Sequence, residues 1–487
     1  MSEGKHFADP KQRNFAARGS RLNVSEVLSE ARSRTYFRIL DLSQRITSRK
    51  QRSDFTNPYF VLGEMKMAQW EDRRTLTKRL VKRVKGITEH AYRHVPYYRR
   101  LYKRLGVDPQ KISSLDYFSK IPVLRKEEIR AAGGEFLAEN ADRKRILRDA
   151  TMGSTGDPLS YYHDYGWELR RLGSKWLLDS YFGAGPQSRY FRIVNEAPSV
   201  SQPQARKRTL HGLRSVLGPV KYERDLPLSY LELTNDGVRG FLEQLRKFGP
   251  LYGAASPTQL MSLCELLSSQ ALQMPRLQAM ISGSEILLDS ERKSFEEVLG
   301  CPIFNRYGSR EFFGAMAGEC SYHTGMHVNL ELVLIEVVDD DSQPCQGELG
   351  NIIVTDLHNR SMPFIRYMIG DVGSLGGDCN CGRTFPILGK VMGRQGDWVL
   401  NHNLARIPVL ELTIQATGLA DQIRYFQFRQ VRPGQLIMRV VPNQLWDYHF
   451  VKQRIDTIGK HNSIDIEIEV ISELRTYPSG KRRLLLN

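Results

Sequence analysis

A chain of 487 residues with 41% hydrophobic content exceeds what one core usually serves, so two or more domains are expected. No run of about 18 apolar residues occurs, which excludes an ordinary transmembrane helix. Its six cysteines, Cys264, Cys301, Cys320, Cys345, Cys379 and Cys381, are too sparse for a disulfide framework, and the net charge of +16 fits either anionic partners or a basic solvated surface.

The N-terminus lacks the apolar core of a signal peptide and carries acids too early for a clean transit peptide, so a cytoplasmic location is expected. Residues 1–55 are Arg-rich around the apolar cluster Tyr36–Leu40, which predicts a partly helical, basic N-terminal extension. Leu76, Leu80, Val84, Ile87 and Ala91 then recur at helical spacing, and Pro96 ends that helix. Val95–Arg99 enters a second helix, and Asp116–Arg125 reads as a loop feeding a packed segment.

Between 150 and 370, short apolar runs alternate with longer helical stretches. Tyr190–Val194, Ala279–Ile281 and Pro302–Phe304 read as buried strands, with helices over 226–248 and 257–272. This alternation predicts a mostly parallel sheet with ligands at its carboxyl ends. From 331, Leu332–Val337 and Gly350–Val354 predict an antiparallel, barrel-like portion. Beyond Asp397, Tyr425–Phe428 and Leu436–Met438 flank Pro433-Gly434 as a hairpin. A helix near 447–460 and the alternating strand Ile464–Val470 complete a small α/β unit. The fold class is α/β, with domains at 1–70, 71–396 and 397–487.

Six short segments punctuate this pattern: Thr151-Met-Gly-Ser-Thr-Gly-Asp-Pro158, Ser282-Gly-Ser-Glu285, Tyr307-Gly-Ser-Arg-Glu311, Arg366-Tyr-Met-Ile-Gly-Asp371, Gly393-Arg-Gln-Gly-Asp397 and Tyr477-Pro-Ser-Gly-Lys481. In the first, Gly153 and Gly156 let the backbone approach a polyphosphate, while Thr151, Ser154 and Thr155 supply hydroxyl donors. It lacks the Gly-Lys-[Ser/Thr] ending of a Walker A motif, and alone it fits an ordinary Ser/Gly turn equally well. Tyr307 offers an aromatic face for a base, or a core tyrosine; Glu311 offers a hard oxygen ligand, or a surface acid. Cys320-Ser-Tyr-His323 and Cys379-Asn-Cys381 together supply three thiols and an imidazole, a tetrahedral zinc set or free thiols in loops, with His327 competing for the place of His323.

In this order the six segments resemble those of the adenylate-forming superfamily. Ala91-Tyr-Arg-His-Val-Pro-Tyr-Tyr-Arg99 and Ile121-Pro-Val-Leu-Arg-Lys126 carry the upstream pattern of its phenylacetate–CoA ligase and capsular-polysaccharide (CapK-like) branch. The resemblance runs from about residue 70 to 487. It implies a large N-terminal adenylate-forming domain of mixed sheets, helices and a small barrel-like part, followed by a mobile α/β lid. It implies ATP, Mg²⁺ and a carboxylic acid as ligands, then transfer of the acyl group to coenzyme A. Transfer to an amine or a carrier-protein thiol is the alternative. Dimers are familiar in this branch, and nothing in the chain resembles a nucleic-acid recognition module.

The resemblance assigns ATP to Thr151, Gly153, Ser154, Thr155, Gly156, Ser284, Glu285, Tyr307, Gly308, Asp371 and Arg394. It gives Mg²⁺ to Glu311, catalysis to Lys481, Glu311 and Arg394, the hinge to Asp397, and the acyl pocket to Tyr252, Gly253, Ala254 and Gly283. Met152, Asp157 and Arg310 depart from the family pattern.

Overall fold

A computed structural model describes residues 58–151, 159–194, 224–345, 347–394, 398–419, 421–443, 445–472 and 484–486. The predicted extension, the glycine-rich residues Gly153, Ser154, Thr155 and Gly156, the hinge Asp397 and Lys481 lie outside them.

The helices are α1 (Pro58–Ala68), α2 (Arg73–His94), α3 (Pro96–Leu105), α4 (Leu115–Phe118), α5 (Lys126–Ala132), α6 (Tyr165–Asp179), α7 (Val238–Phe248), α8 (Pro257–Ser269), α9 (Asp289–Leu299), α10 (Val409–Ala416) and α11 (Tyr448–Asn462). Helix α2 begins where the Asp72 carboxylate accepts from the Thr75 amide, and it buries the predicted apolar stripe. It stops one residue short of the pre-proline position Val95, whose extended backbone a following proline favours. Helix α1 packs on α6: a Cβ on Gly173 would lie 2.8 Å from Val61, and Tyr59 stacks at 5.0 Å on Trp176. Residues 58–68, which the sequence division leaves with the extension, thus belong to the main core.

The strands in chain order are β1 (Leu147–Ala150), β2 (Ser160–His163), β3 (Arg189–Val194), β4 (Arg224–Ser229), β5 (Tyr252–Ala255), β6 (Ala279–Gly283), β7 (Ile303–Ser309), β8 (Phe312–Glu319), β9 (Met326–Val328), β10 (Val333–Val338), β11 (Gly350–Asp356), β12 (Tyr367–Leu375) and β13 (Ile387–Arg394). Then follow β14 (Trp398–Leu400), β15 (Arg406–Pro408), β16 (Ile423–Arg432), β17 (Gln435–Pro442), β18 (Asp465–Val470) and β19 (Leu485–Leu486). One 11-stranded sheet runs β10-β11-β12-β13-β9-β8-β7-β6-β5-β3-β4. Its β4-β3-β5-β6-β7 part is parallel, as the alternating pattern predicts, and the remaining pairings are antiparallel.

One expectation changes. The helix predicted over 226–248 is confined to Val238–Phe248, because Arg224–Ser229 pairs in parallel with β3 as the edge strand β4. The antiparallel portion expected from 331 onward is present, as the continuation of the parallel strands within the same sheet. That continuation must curl: β7 and β12 are four positions apart, about 19 Å in a flat sheet, yet Tyr307 and Asp371 are hydrogen-bonded at 2.7 Å.

The parallel part packs one face on α7, α8 and α9 through Phe191, Leu242, Leu263, Met280 and Ile303. Residues beyond 398 have their own core, built on Val399, Leu412, Phe428, Met438 and Ile455. There the β16–β17 hairpin turns at Gly434 (φ +78°), and β18 adds in parallel to β17. This unit touches α8 where Glu265 accepts from Arg424 Nε at 3.0 Å and from the Tyr425 hydroxyl. Among the described residues no helix is long and apolar enough to cross a membrane.

Candidate functional site

Tyr307 stands near the carboxyl end of parallel strand β7, where ligands of such sheets gather. Its hydroxyl donates to Asp371 Oδ2 at 2.7 Å, across the curl of the sheet. Asp371 and Arg394 face each other in the β12–β13 ladder, with Arg394 Nε 3.6 Å from Asp371 Oδ1. Burial, then the neighbouring Asp371 charge, holds the Tyr307 hydroxyl well above its usual range, so it stays a donor. Gly308 permits the turn into β8: a Cβ there would lie 2.5 Å from the Gly314 backbone.

Glu311 follows that turn and is buried. Burial raises its carboxyl pKa, while backbone hydrogen bonding, the Arg394 charge and Ser309 oppose the rise. A buried carboxylate is costly unless positive charge compensates it, which suits a metal ion beside Glu311. The paired strands β1 and β2, which precede and follow the glycine-rich segment in the chain, lie close by. Thr151 N donates to the Leu159 carbonyl at 3.0 Å, and Leu159 N donates to Thr151 Oγ1 at 2.9 Å. The Tyr161 hydroxyl contacts Asp149 at 3.1 Å and the Arg310 carbonyl at 2.8 Å, tying the hairpin to the Tyr-Gly-Ser-Arg-Glu segment.

Ser284, just beyond β6, adopts φ +71°, a conformation that side-chain-bearing residues rarely hold without cause. Glu285 turns to α8, accepting from Thr258 Oγ1 at 2.5 Å and from its amide at 3.3 Å. Of the four expected pocket residues, Gly283 and Ala254 are half-buried, and Tyr252 is buried with its hydroxyl on Gln278. Gly253 is a correction: a Cβ there would lie 2.2 Å from Met280 Sδ and 2.4 Å from Phe191. It is required for packing on the helix-covered face and does not open a pocket on the other.

Two residues without an assigned role lie beside or brace this site. Lys126, at the start of α5, lies within the electrostatic reach of Glu311 and Arg394, and burial lowers its pKa. Arg366, buried at φ +49°, donates to the Ser119 and Ile121 carbonyls and pairs with Glu336 at 3.1 Å. Leu124 N also donates to the Arg366 carbonyl at 2.8 Å, so the segment leading to Lys126 is stapled to β12 and hence to Asp371. Both residues lie inside segments that carry the family resemblance, which was the available signal. Lys126→Gln is expected to slow ATP turnover on the order of tenfold with an unchanged thermal midpoint, and an unaltered rate would remove Lys126 from the site.

A second constellation lies at the β8–β9 and β12–β13 turns. Ligand atoms of Cys320, His327, Cys379 and Cys381 all fall within 4.8 Å of one another. Cys320 and Cys379 sulfurs are 3.6 Å apart, and Cys381 Sγ is 3.2 Å from His327 Nε2. A tetrahedral site with metal–sulfur bonds of about 2.3 Å separates sulfurs by about 3.7 Å, so the donor set fits zinc. The Phe385 carbonyl lies 3.3 Å from His327 Nδ1, which suits a tautomer with Nε2 turned to the sulfurs. His323, the imidazole in the expected set, instead contacts Glu319 and Arg292, each at 3.0 Å, and stacks on Phe304. The correction is one of spacing: His327 lies in strand β9, which pairs with β13 beside the cysteines, whereas His323 lies in the preceding turn.

No protein-family model matches the chain. It is 26% identical over 365 residues to a phenylacetate-coenzyme A ligase of Thermus thermophilus, covering 73% of this chain and 78% of that protein. It is 19% identical over 408 residues to Protein CapK of Staphylococcus aureus, covering 80% and 84%. In three dimensions it resembles a 2-hydroxyisobutyryl-CoA ligase in its postadenylation state, with TM-score 0.72, 17% identity, and 86% and 91% of the two chains covered. In sequence the chain is thus similar to phenylacetate-coenzyme A ligases and to Protein CapK, and in fold to an acyl-CoA ligase.

Proposed function

We propose that this protein is an AMP-forming ligase that activates a carboxylic acid with ATP as an acyl adenylate and passes the acyl group to coenzyme A. The convergence of Tyr307, Asp371, Arg394 and Glu311 beside the carboxyl end of β7 carries this reading. Asp371 has two oxygens for the vicinal ribose hydroxyls, oriented by Tyr307 and neutralised by Arg394, while the Tyr307 ring takes the adenine face. Ser284, Glu285 and Gly308 would line the nucleotide, with Gly283 and Ala254 toward the acyl group.

Thr151, Gly153, Ser154, Thr155 and Gly156 would grip the outgoing phosphates, and Glu311 would hold Mg²⁺ against the α-phosphate. A substrate carboxylate oxygen attacks the α-phosphorus as its bond to pyrophosphate breaks. Lys481 would bridge carboxylate and phosphate and offset the charge that builds there. The thiol of coenzyme A, losing its proton, then attacks the acyl carbonyl and AMP leaves. The unit beyond Asp397 acts as the lid between the two half-reactions. Zinc on Cys320, His327, Cys379 and Cys381 would be structural, because all four donors are protein side chains and no open position remains.

Pyrophosphate release across a panel of aryl, fatty and amino acids tests this reading. Acid-dependent release is expected, falling by roughly 10²–10³ in Lys481→Ala. Coenzyme A dependence of AMP release separates thioester formation from transfer to an amine or a carrier-protein thiol. Release that ignores both the acid and Lys481 would refute the proposal.

A further inference from the structure

Arg310 and Glu311 make the turn between β7 and β8, and their side chains part. Glu311 goes inward and is buried, whereas Arg310 is exposed. The turn is braced from the other side. The Arg310 carbonyl accepts from the Tyr161 hydroxyl at 2.8 Å, and Tyr161 is a fully buried residue of β2.

Acids stand on both sides of Arg310, and neither takes it as a partner. Glu311, the next residue, turns its carboxyl into the protein, within reach of the Arg394 charge. Asp149 pairs with Tyr161 across the β1–β2 ladder and has both oxygens engaged. Its Oδ1 accepts from the Ala150 amide at 2.7 Å, and its Oδ2 lies 3.1 Å from the Tyr161 hydroxyl. The Arg310 guanidinium therefore makes no hydrogen bond or ion pair among the described residues. On an ordinary surface that would mean little, but this arginine stands between two parts of the nucleotide site. Tyr307, bonded to Asp371, lies on one side along β7. On the other, β1 and β2 lead to Thr151 and Leu159, which bond to each other.

Resting on the ligase reading above, we infer that Arg310 binds the β- and γ-phosphates of ATP and stays with them as the departing pyrophosphate. With Tyr307 on the adenosine and Glu311 at the α-phosphate, the exposed neighbour of Glu311 meets the phosphates beyond. As the substrate carboxylate attacks the α-phosphorus, the bond to the bridging oxygen breaks and its electron pair leaves on pyrophosphate. A planar guanidinium, donating two parallel N–H bonds, matches that growing charge better than the point charge of a lysine. Arg310 has no protein carboxylate to abandon, so it loses nothing on turning to a phosphate.

The test is calorimetric titration of AMP, ATP and inorganic pyrophosphate, each with Mg²⁺, into wild type, Arg310→Gln and Arg310→Lys. Pyrophosphate release across the acid panel is measured beside it. Arg310→Gln is expected to weaken ATP and pyrophosphate by about tenfold to a hundredfold and to leave AMP within about twofold. Arg310→Lys should recover part of the loss, because it restores the charge but not the paired donors. Both variants should keep the thermal midpoint of the wild type, since the side chain is exposed and unpaired. An ATP affinity unmoved in Arg310→Gln, or AMP weakened as much as ATP, would overturn the role of Arg310 and leave the ligase reading standing. The expected split without acid-dependent pyrophosphate release would sustain that role and overturn the ligase reading instead. A wild type that binds no ATP would overturn both.

Discussion

Asp371→Asn should raise KM for ATP by roughly 10- to 100-fold while changing kcat far less. The carboxylate sits at the focus of the site, accepting from Tyr307 at 2.7 Å with Arg394 3.6 Å away. Hydrogen bonds to a charged group contribute about 1.5–3 kcal/mol each, and asparagine loses the charge and one acceptor. Ribose hydroxyls are equally far from the reacting phosphorus before and during the displacement. Their loss therefore weakens ground state and transition state alike, which appears in KM rather than kcat. Tyr307→Phe completes the argument. If Tyr307 acts by orienting Asp371, the double variant loses less than the sum of the single losses. Additive losses would show that the two groups meet ATP independently, and an unchanged KM in Asp371→Asn would remove the ribose assignment.

Removal of metal should have the largest effect on stability. Chelation, or His327→Ala, is expected to abolish zinc content and lower the thermal midpoint by several degrees. Binding at a thousandfold excess over Kd stabilises a folded chain by about 4 kcal/mol. The four candidate ligands come from the turn after β8, strand β9 and the loop between β12 and β13, so a metal held there would clamp the curl that brings Asp371 and Arg394 to Tyr307. His323→Ala serves as the contrast, because its ring is engaged with Glu319 and Arg292. It should retain a full equivalent of zinc by atomic emission. Loss of zinc in His323→Ala with retention in His327→Ala would reverse the ligand assignment. A metal-free native protein with an unshifted midpoint after chelation would discard the site.

Local rules made much of this molecule legible in one dimension. The stripe Leu76 to Ala91 and the stop at Pro96 predicted α2, because helical spacing and proline geometry act over a few residues. The hairpin about Gly434 and the alternating strand β18 were equally local. The order of the six segments was enough to point to proteins similar in sequence and fold, because short runs of glycine, hydroxyl and acidic residues are read without knowing their partners.

Reading failed where partners are distant in sequence. Residues 226–229 looked helical because their status as a strand depends on β3, more than 30 residues earlier. Gly253 read as an opening for substrate, although Met280 and Phe191 on the neighbouring strands demand its missing side chain. His323 and His327 are equivalent as letters, and only the pairing of β9 with β13 decides which faces the thiols. Lys126 and Arg366 acquire meaning from contacts that close over long loops of chain. The sequence by itself determined the chemistry on offer and the local elements that carry it. Tertiary structure decided which side chains meet, because a strand's face and register are set by neighbours that the chain reaches only on folding.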